Sequence, residues 1–166
     1  ISQSIPFNEL MLVREAVVAY LGSLPAEDRW NVALFSEATI MYENSAHFLP
    51  ASAFDAAALT RFIDRRSDQR RTNVFEAARL ILAGVPRSDR PCNVFLISDG
   101  VATEGPDEVR YVVGDFQRVN RDNFSIFTFN AGPGGNLYLL SLLSYRSRGC
   151  LRDCPDLAQT PGVLRN

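Results

Sequence analysis

The stretch Asn93-Val-Phe-Leu-Ile-Ser-Asp-Gly100 decides the fold of this chain. Its four successive apolar residues, bounded by a polar Ser-Asp-Gly turn, predict a strand that is buried on both faces, as strands of parallel sheets are. Open α/β sheets bind ligands beyond the carboxyl ends of such strands. Asp99 lies at that end, in a turn that Gly100 allows to close tightly. The Asp99 carboxylate is therefore either a turn residue or a ligand.

Predicted strands and helices alternate on either side of this stretch. The strands are Trp30–Ser36, Thr39–Tyr42, Phe124–Phe129 and Cys150–Arg152. The helices are Glu9–Leu21, Ser52–Arg65 behind a Ser52–Asp55 capping box, Asn73–Ala83 behind an Asn73–Glu76 cap, Pro106–Val119 and Leu137–Tyr145. The short link between the first two strands implies an antiparallel hairpin. The pattern predicts an α/β, doubly wound (Rossmann-like), mostly parallel sheet with helices on both faces and one antiparallel edge strand.

Composition limits the classes of function. The 166 residues are 46% hydrophobic and 22% charged, which is typical of one globular domain. A net charge of −2 gives no general attraction to nucleic acid or to an anionic membrane. No apolar run approaches the ~20 residues that span a bilayer. All 17 basic residues are arginine, so no lysine is present to form a Schiff base, and the cysteines lack the paired spacing of a zinc site.

No sequence motif indicates an enzyme. The run Gly132-Pro-Gly-Gly135 follows a predicted strand but lacks the Rossmann spacing, so it is interpreted as a loop. There is no Walker A sequence and no nucleophile elbow. The single histidine, His47, falls in a predicted surface loop, where a histidine is more often an ordinary loop residue than a base.

Three polar stretches are the candidates for a functional site: Ser2-Gln3-Ser4, Arg71-Thr72-Asn73 and Ser98-Asp99-Gly100. Each has an ordinary explanation, because serine, threonine and asparagine cap helices and aspartate bonds to its own turn. Together they are more informative, since a doubly wound sheet brings all three to the same carboxyl edge. Hydroxyl and carboxylate oxygens are hard ligands suited to Mg²⁺. The sequence therefore predicts a cation site at this edge.

These stretches and several others resemble a von Willebrand factor A-type domain, and the match covers nearly all of residues 1–166. The resemblance is carried by Asp28-Arg-Trp-Asn-Val-Ala-Leu-Phe-Ser36, Thr72-Asn73, Leu96-Ile-Ser-Asp-Gly100, Phe127-Thr-Phe-Asn-Ala-Gly132 and Ser147-Arg-Gly149. The Asp-Arg-aromatic-Asn run most resembles the inter-alpha-trypsin inhibitor heavy chains and their bacterial relatives. The metal-ion-dependent adhesion site of the family consists of an Asp-x-Ser-x-Ser loop, a threonine and an aspartate.

The resemblance implies four metal-site residues in this chain. Ser2 and Ser4 match the two serines of the loop. Thr72 matches the threonine, and Asp99 matches the aspartate, which in the family usually reaches the metal through water. The first aspartate of the loop would stand just before Ile1, and the first, central strand of the family would lie upstream of it. The expectation is a single von Willebrand factor A-type domain that is truncated at its N-terminus and belongs to a larger polypeptide.

The chain departs from the family pattern beside two of these residues. Arg70 and Arg71 stand where glycines often precede the threonine, and Ile5 stands where methionine is common. Arginines near the site oppose a dication and favour an anionic partner.

The function implied by the resemblance is a noncatalytic, metal-dependent adhesion or protein-interaction module. Mg²⁺, or alternatively Mn²⁺ or Ca²⁺, would be held at the four positions, and a carboxylate from a protein or another acidic ligand would fill its open coordination position. Neither nucleic-acid binding nor a membrane span is expected. The alternatives are a metal-free scaffold of the same fold and a metal-assisted hydrolase that uses Asp99. Because family members are often extracellular, an extracellular or cell-surface location is expected.

Overall fold

A computed structural model describes residues 1–3, 5, 7–44, 47–65, 73, 76–77, 79–80, 90–101, 113–114, 117–118, 120, 124–131 and 134–154. The described helices are α1 (Phe7–Leu21), α2 (Ala56–Asp64) and α3 (Leu137–Arg146). The strands are β1 (Arg29–Trp30), β2 (Ala33–Phe35), β3 (Thr39–Met41), β4 (Leu49–Pro50), β5 (Cys92–Ser98), β6 (Phe124–Ala131) and β7 (Leu151–Cys154). The predicted helices at 73–83 and 106–119 and the predicted loop at 65–71 lie largely outside the described residues.

The predicted buried strand and its predicted neighbour are adjacent and parallel. β5 pairs with β6 over seven residues, from Cys92 opposite Phe124 to Ser98 opposite Asn130. β7 pairs in parallel with the other side of β6. This three-stranded sheet confirms the predicted parallel arrangement and directs the carboxyl ends of all three strands to one edge.

Residues 1–3 connect this sheet to a hairpin. β2 pairs antiparallel with β3, as predicted. The Ser2 amide donates to the Ile97 carbonyl oxygen of β5 at 2.9 Å, and the Gln3 amide donates to the Phe35 carbonyl oxygen of β2 at 2.9 Å. Residues 1–3 therefore lie between β2 and β5. The resemblance implies a first, central strand upstream of Ile1, and residues 1–3 already make strand-like bonds on both sides.

The predicted strand Trp30–Ser36 is wrong in part, because the structure divides it into two strands. The Asn31 side chain accepts a hydrogen bond from the adjacent Val32 amide at 2.7 Å, which interrupts the strand. The residues before the interruption form β1, which pairs antiparallel with β4. The residues after it form β2, so only this second part belongs to the sheet that carries the site.

The predicted capping box of α2 is also corrected. Asp55 is itself the N-cap, and its Oδ1 accepts a hydrogen bond from the Ala58 amide at 2.9 Å. Ser52 lies one turn earlier, in a short 3₁₀ helix at Ala51–Ala53. The second predicted cap is confirmed, since Asn73 Oδ1 accepts from the Glu76 amide at 2.9 Å.

Helices cover both faces of the sheet, each over its own apolar core. Successive β5 residues face opposite ways, so Leu96 packs into one core and Ile97 into the other. The α1 residues in the Ile97 core recur at helical spacing: Leu10, Val13, Val17 and Leu21. The α3 residues in the Leu96 core are Leu139, Leu140 and Leu143. This confirms the predicted α/β, Rossmann-like fold. None of the helices that the structure describes is long and apolar enough to cross a membrane.

Candidate functional site

Asp99 lies directly after β5 in a tightly bonded turn. Its Oδ1 accepts a hydrogen bond from the Val101 amide at 3.1 Å, and the Ser98 hydroxyl accepts one from the Gly100 amide at 3.1 Å. Gly100 has a φ of 70°, a conformation that glycine adopts without steric cost. The Asp99 carboxylate therefore stabilises its own turn, but only through Oδ1. Within the described part of the chain Oδ2 accepts no hydrogen bond, so this oxygen is available to a ligand.

Ser2 is placed beside the Asp99 turn by the backbone of β5. Its amide donates to the carbonyl oxygen of Ile97, which is two residues before Asp99. Ser2 is fully buried, because β5 lies on one side of it and Phe35 of β2 lies on the other. A hydroxyl group at this depth can serve as a ligand at the floor of a site but not as a contact for a partner protein.

Asn73, the residue after the predicted ligand Thr72, lies at the same edge of the sheet. The amide of Asn73 donates to the carbonyl oxygen of Ser36 at 2.9 Å. Ser36 directly follows Phe35, the β2 residue that pairs with Ser2. Backbone hydrogen bonds thus connect the Asp99 strand to Ser2, the two neighbours of Ser2 to β2, and the end of β2 to Asn73. Ser4 and Thr72 themselves, with Arg70 and Arg71, lie outside the described residues.

The donor chemistry of this edge fits a hard cation. Ser2 and Asp99 contribute a hydroxyl and a carboxylate, which are ligands that Mg²⁺ accepts. Among the residues that the structure describes, no three His, Cys, Asp or Glu side chains come together around a common point. A cation site here would therefore rely on hydroxyl groups as well as on its single described carboxylate.

His47, the only histidine, lies far from this edge. Its carbonyl oxygen accepts a hydrogen bond from the Asn31 side chain at 2.9 Å, near the opposite end of β2. His47 is thus poorly placed to act as a base beside Asp99.

A second group, in the loop before α3, contacts the Asp99 turn. Gly135 was predicted to belong to an ordinary loop, yet the carbonyl oxygen of Asp99 accepts a hydrogen bond from the next amide, that of Asn136, at 2.7 Å. A Cβ atom at Gly135 would lie 2.6 Å from the same oxygen. Two consecutive glycines after a strand were the only available signal, because a close backbone approach requires glycine.

No family model matches the sequence, and no curated protein matches it. Solved structures do match its fold. The von Willebrand factor type A protein from Catenulispora acidiphila has a TM-score of 0.79 and 17% identity over 96% of this chain. Proximal thread matrix protein 1 from the mussel byssus, solved with a zinc-occupied metal-ion-dependent adhesion site, has a TM-score of 0.71 and 14% identity over 99% of this chain.

A third structure, the ArnB paralog VWA2 from Sulfolobus acidocaldarius, has a TM-score of 0.70 and 17% identity over 95% of this chain. The chain spans 37%, 44% and 40% of these three proteins, so it corresponds to less than half the length of each. At these identities the comparisons show the fold, and the chain has the fold of von Willebrand factor A proteins.

Proposed function

We propose that this chain is a noncatalytic, metal-ion-dependent binding module of the von Willebrand factor A type. Mg²⁺, with Mn²⁺ or Ca²⁺ as alternatives, would be held directly by the hydroxyl groups of Ser2, Ser4 and Thr72, and the Asp99 carboxylate would act on it through water, as the resemblance implies. When bound, the ion supplies positive charge and an open coordination position for a carboxylate oxygen of an acidic partner.

One observation carries the proposal: the backbone hydrogen bonds that bring three separate segments to one edge of the sheet. Ser2 is bonded to β5 two residues before Asp99, and the Asn73 segment is bonded to the end of β2. The available Oδ2 of Asp99 adds a charged ligand there. The mussel protein, whose metal-ion-dependent adhesion site holds zinc, supports a cation at this position of the fold.

We also propose, on the resemblance, that the chain belongs to the subgroup of the inter-alpha-trypsin inhibitor heavy chains and their bacterial relatives. The Asp28-Arg-Trp-Asn31 run, which resembles the inter-alpha-trypsin inhibitor heavy chains, has a structural role in this chain. Trp30 is buried against Tyr42 and Phe54, with ring centroids 5.3 and 5.6 Å away, and Asp28 pairs with Arg90 at 3.3 Å. We propose an extracellular or cell-surface location, within a larger polypeptide, on the same resemblance.

The second candidate is a metal-free scaffold of the same fold. It is favoured by the hydrogen bond from the Val101 amide to Asp99 Oδ1, which gives the carboxylate a structural task without any metal. In that case partners would recognise the shape of the loops, and binding would be insensitive to divalent cations.

Titration of the chain with MgCl₂, followed by calorimetry, separates the two candidates. We expect saturable binding with a dissociation constant on the order of 1 mM, because weak oxygen-ligand sites lie in this range. Asp99→Asn is expected to abolish binding, since it removes the charge while its amide oxygen can still accept from Val101. Asp55→Asn is the matched control: it makes the same charge change in α2, and asparagine caps helices as well as aspartate does. Binding of Mg²⁺ by Asp99→Asn at the parental affinity would establish the metal-free scaffold instead.

A second experiment tests the preference for acidic partners. Arrays of peptides that contain Asp or Glu, paired with the same peptides carrying Asn or Gln, are probed with the chain in MgCl₂ and in EDTA. We expect signal only on the acidic member of each pair and only with Mg²⁺. Equal signal on both members would contradict carboxylate recognition.

A further inference from the structure

The turn that carries Asp99 is packed against the loop before α3. The carbonyl oxygen of Asp99 accepts a hydrogen bond from the Asn136 amide at 2.7 Å. Gly135 lies so close that a Cβ atom there would stand 2.6 Å from this oxygen and would also overlap Oδ1 of Asn130. Real Cβ atoms do not approach a backbone oxygen this closely, so either the loop or the Asp99 turn would have to move.

The residue after Asp99 contacts the same segment. A Cβ atom at Gly100 would lie 2.8 Å from Cγ of Leu140 and 3.1 Å from the carbonyl oxygen of Asn136. The turn thus fits against the first turn of α3 at two successive residues. Both contacts depend on the absence of a side chain.

The α3 side of this contact is firmly held. Asn136 caps α3, because its Oδ1 accepts from the Leu139 amide at 3.0 Å. Leu140 is fully buried, and its carbonyl oxygen accepts from the hydroxyl of Thr128 in β6 at 3.0 Å. Because α3 is fixed to the sheet, the helix does not give way to a larger residue at Gly135. The strain would fall on its two nearest neighbours, the Asn130 side chain and the Asp99 turn.

We infer that Gly135 is a positioning residue for the Asp99 carboxylate. Because Gly135 has no side chain, the Asn136 amide can reach the carbonyl oxygen of Asp99. This hydrogen bond fixes the orientation of the Asp99 carboxylate. The inference rests on the proposed function for its effect on metal affinity, although Gly135 itself contributes no oxygen to the site.

The test compares Gly135→Ala with Gly134→Asn. Gly134 is in the same loop, with a φ of 81° that asparagine tolerates and open space around it. We expect Gly135→Ala to weaken Mg²⁺ binding by about 10- to 100-fold, the range seen when residues behind metal ligands are changed. Gly134→Asn is expected to bind as the parent does. A change of about twofold or less in the dissociation constant of Gly135→Ala would overturn the inference, because such a change is well below the 10- to 100-fold range.

A second pair of variants keeps the inference testable if Gly135→Ala does not fold. Asn136 has a φ of −77°, which proline can adopt, so Asn136→Pro removes the amide that bonds to Asp99. Asn136→Ala keeps that amide, and both variants lose the side-chain cap of α3. We expect lower Mg²⁺ affinity for Asn136→Pro than for Asn136→Ala, whereas equal affinities would contradict the inference.

A metal-free readout separates this inference from the proposed function. The Val101 amide donates to Asp99 Oδ1, so its hydrogen exchange reports the carboxylate position without Mg²⁺. Loss of this bond in Gly135→Ala is expected to accelerate exchange of that amide by about tenfold. If Asp99→Asn binds Mg²⁺ like the parent, the proposed function fails while the exchange result still decides the positioning role. If Asp99→Asn loses Mg²⁺ but neither Gly135→Ala nor Asn136→Pro does, the positioning role alone fails.

Discussion

The backbone nitrogen of Ile1 donates a hydrogen bond to the carbonyl oxygen of Ala33 at 2.9 Å, at a buried position. The carbonyl oxygen of Ile1 accepts a hydrogen bond from the Phe35 amide at 3.1 Å. These two bonds hold the residue before Ser2 against β2.

Substitution of Gly149 is expected to destabilise the fold strongly. A Cβ atom at this position would overlap the backbone carbonyl of Ile126 in β6. Because the obstacle is the backbone of a sheet strand, Gly149→Ala should cost about 3 kcal/mol or more. Chemical denaturation measures the loss. Gly114→Ala is the control, since its Cβ would meet nothing within 4 Å, and a similar loss there would show that the overlap is not the cause.

The capping of α2 predicts a difference between two neighbouring polar residues. Asp55→Ala should lower the free energy of unfolding by about 1 kcal/mol, because the Ala58 amide loses its acceptor. Ser52→Ala should change it little, because Ser52 is exposed within the 3₁₀ turn and is not the cap of α2. A larger loss of stability for Ser52→Ala than for Asp55→Ala in urea unfolding would indicate that Ser52 is the cap.

The ion pair between α1 and α2 should contribute modestly to the free energy of unfolding. Arg14 Nη1 lies 2.7 Å from Oδ1 and 3.0 Å from Oδ2 of Asp64, and the pair is partly exposed. Asp64→Asn should therefore cost about 0.5–1 kcal/mol at low salt, and less in 1 M NaCl because salt screens exposed charges. A cost that does not change with salt would indicate that the contact is not mainly electrostatic.

The sequence allowed the sheet to be predicted because its strong signals are local. Four apolar residues before Asp99 suffice to indicate a strand buried on both faces, and the structure pairs it with β6 as expected. The division at Asn31 was missed because a side chain that bonds to the adjacent amide leaves the apolar pattern intact.

The candidate site was only partly predictable, for a related reason. The topology rule that places ligands at strand ends locates Ser2 and Asp99 from the sequence. The contact of Gly135 with the Asp99 carbonyl oxygen joins residues 36 positions apart through backbone atoms alone. Such a contact leaves no side-chain pattern, so it becomes visible only when the chain is folded.

The link that residues 1–3 make between the two groups of strands has a mechanical consequence. Among the strands that the structure describes, the hairpin β2–β3 is bonded to β5–β7 only through these residues. The candidate site lies across this junction, with Asn73 bonded to the hairpin side and Asp99 on the other. A bound ion would therefore bear tension that pulls the two groups apart. Metal occupancy would then add to the resistance that the hydrogen bonds of residues 1–3 offer to separation of the two groups.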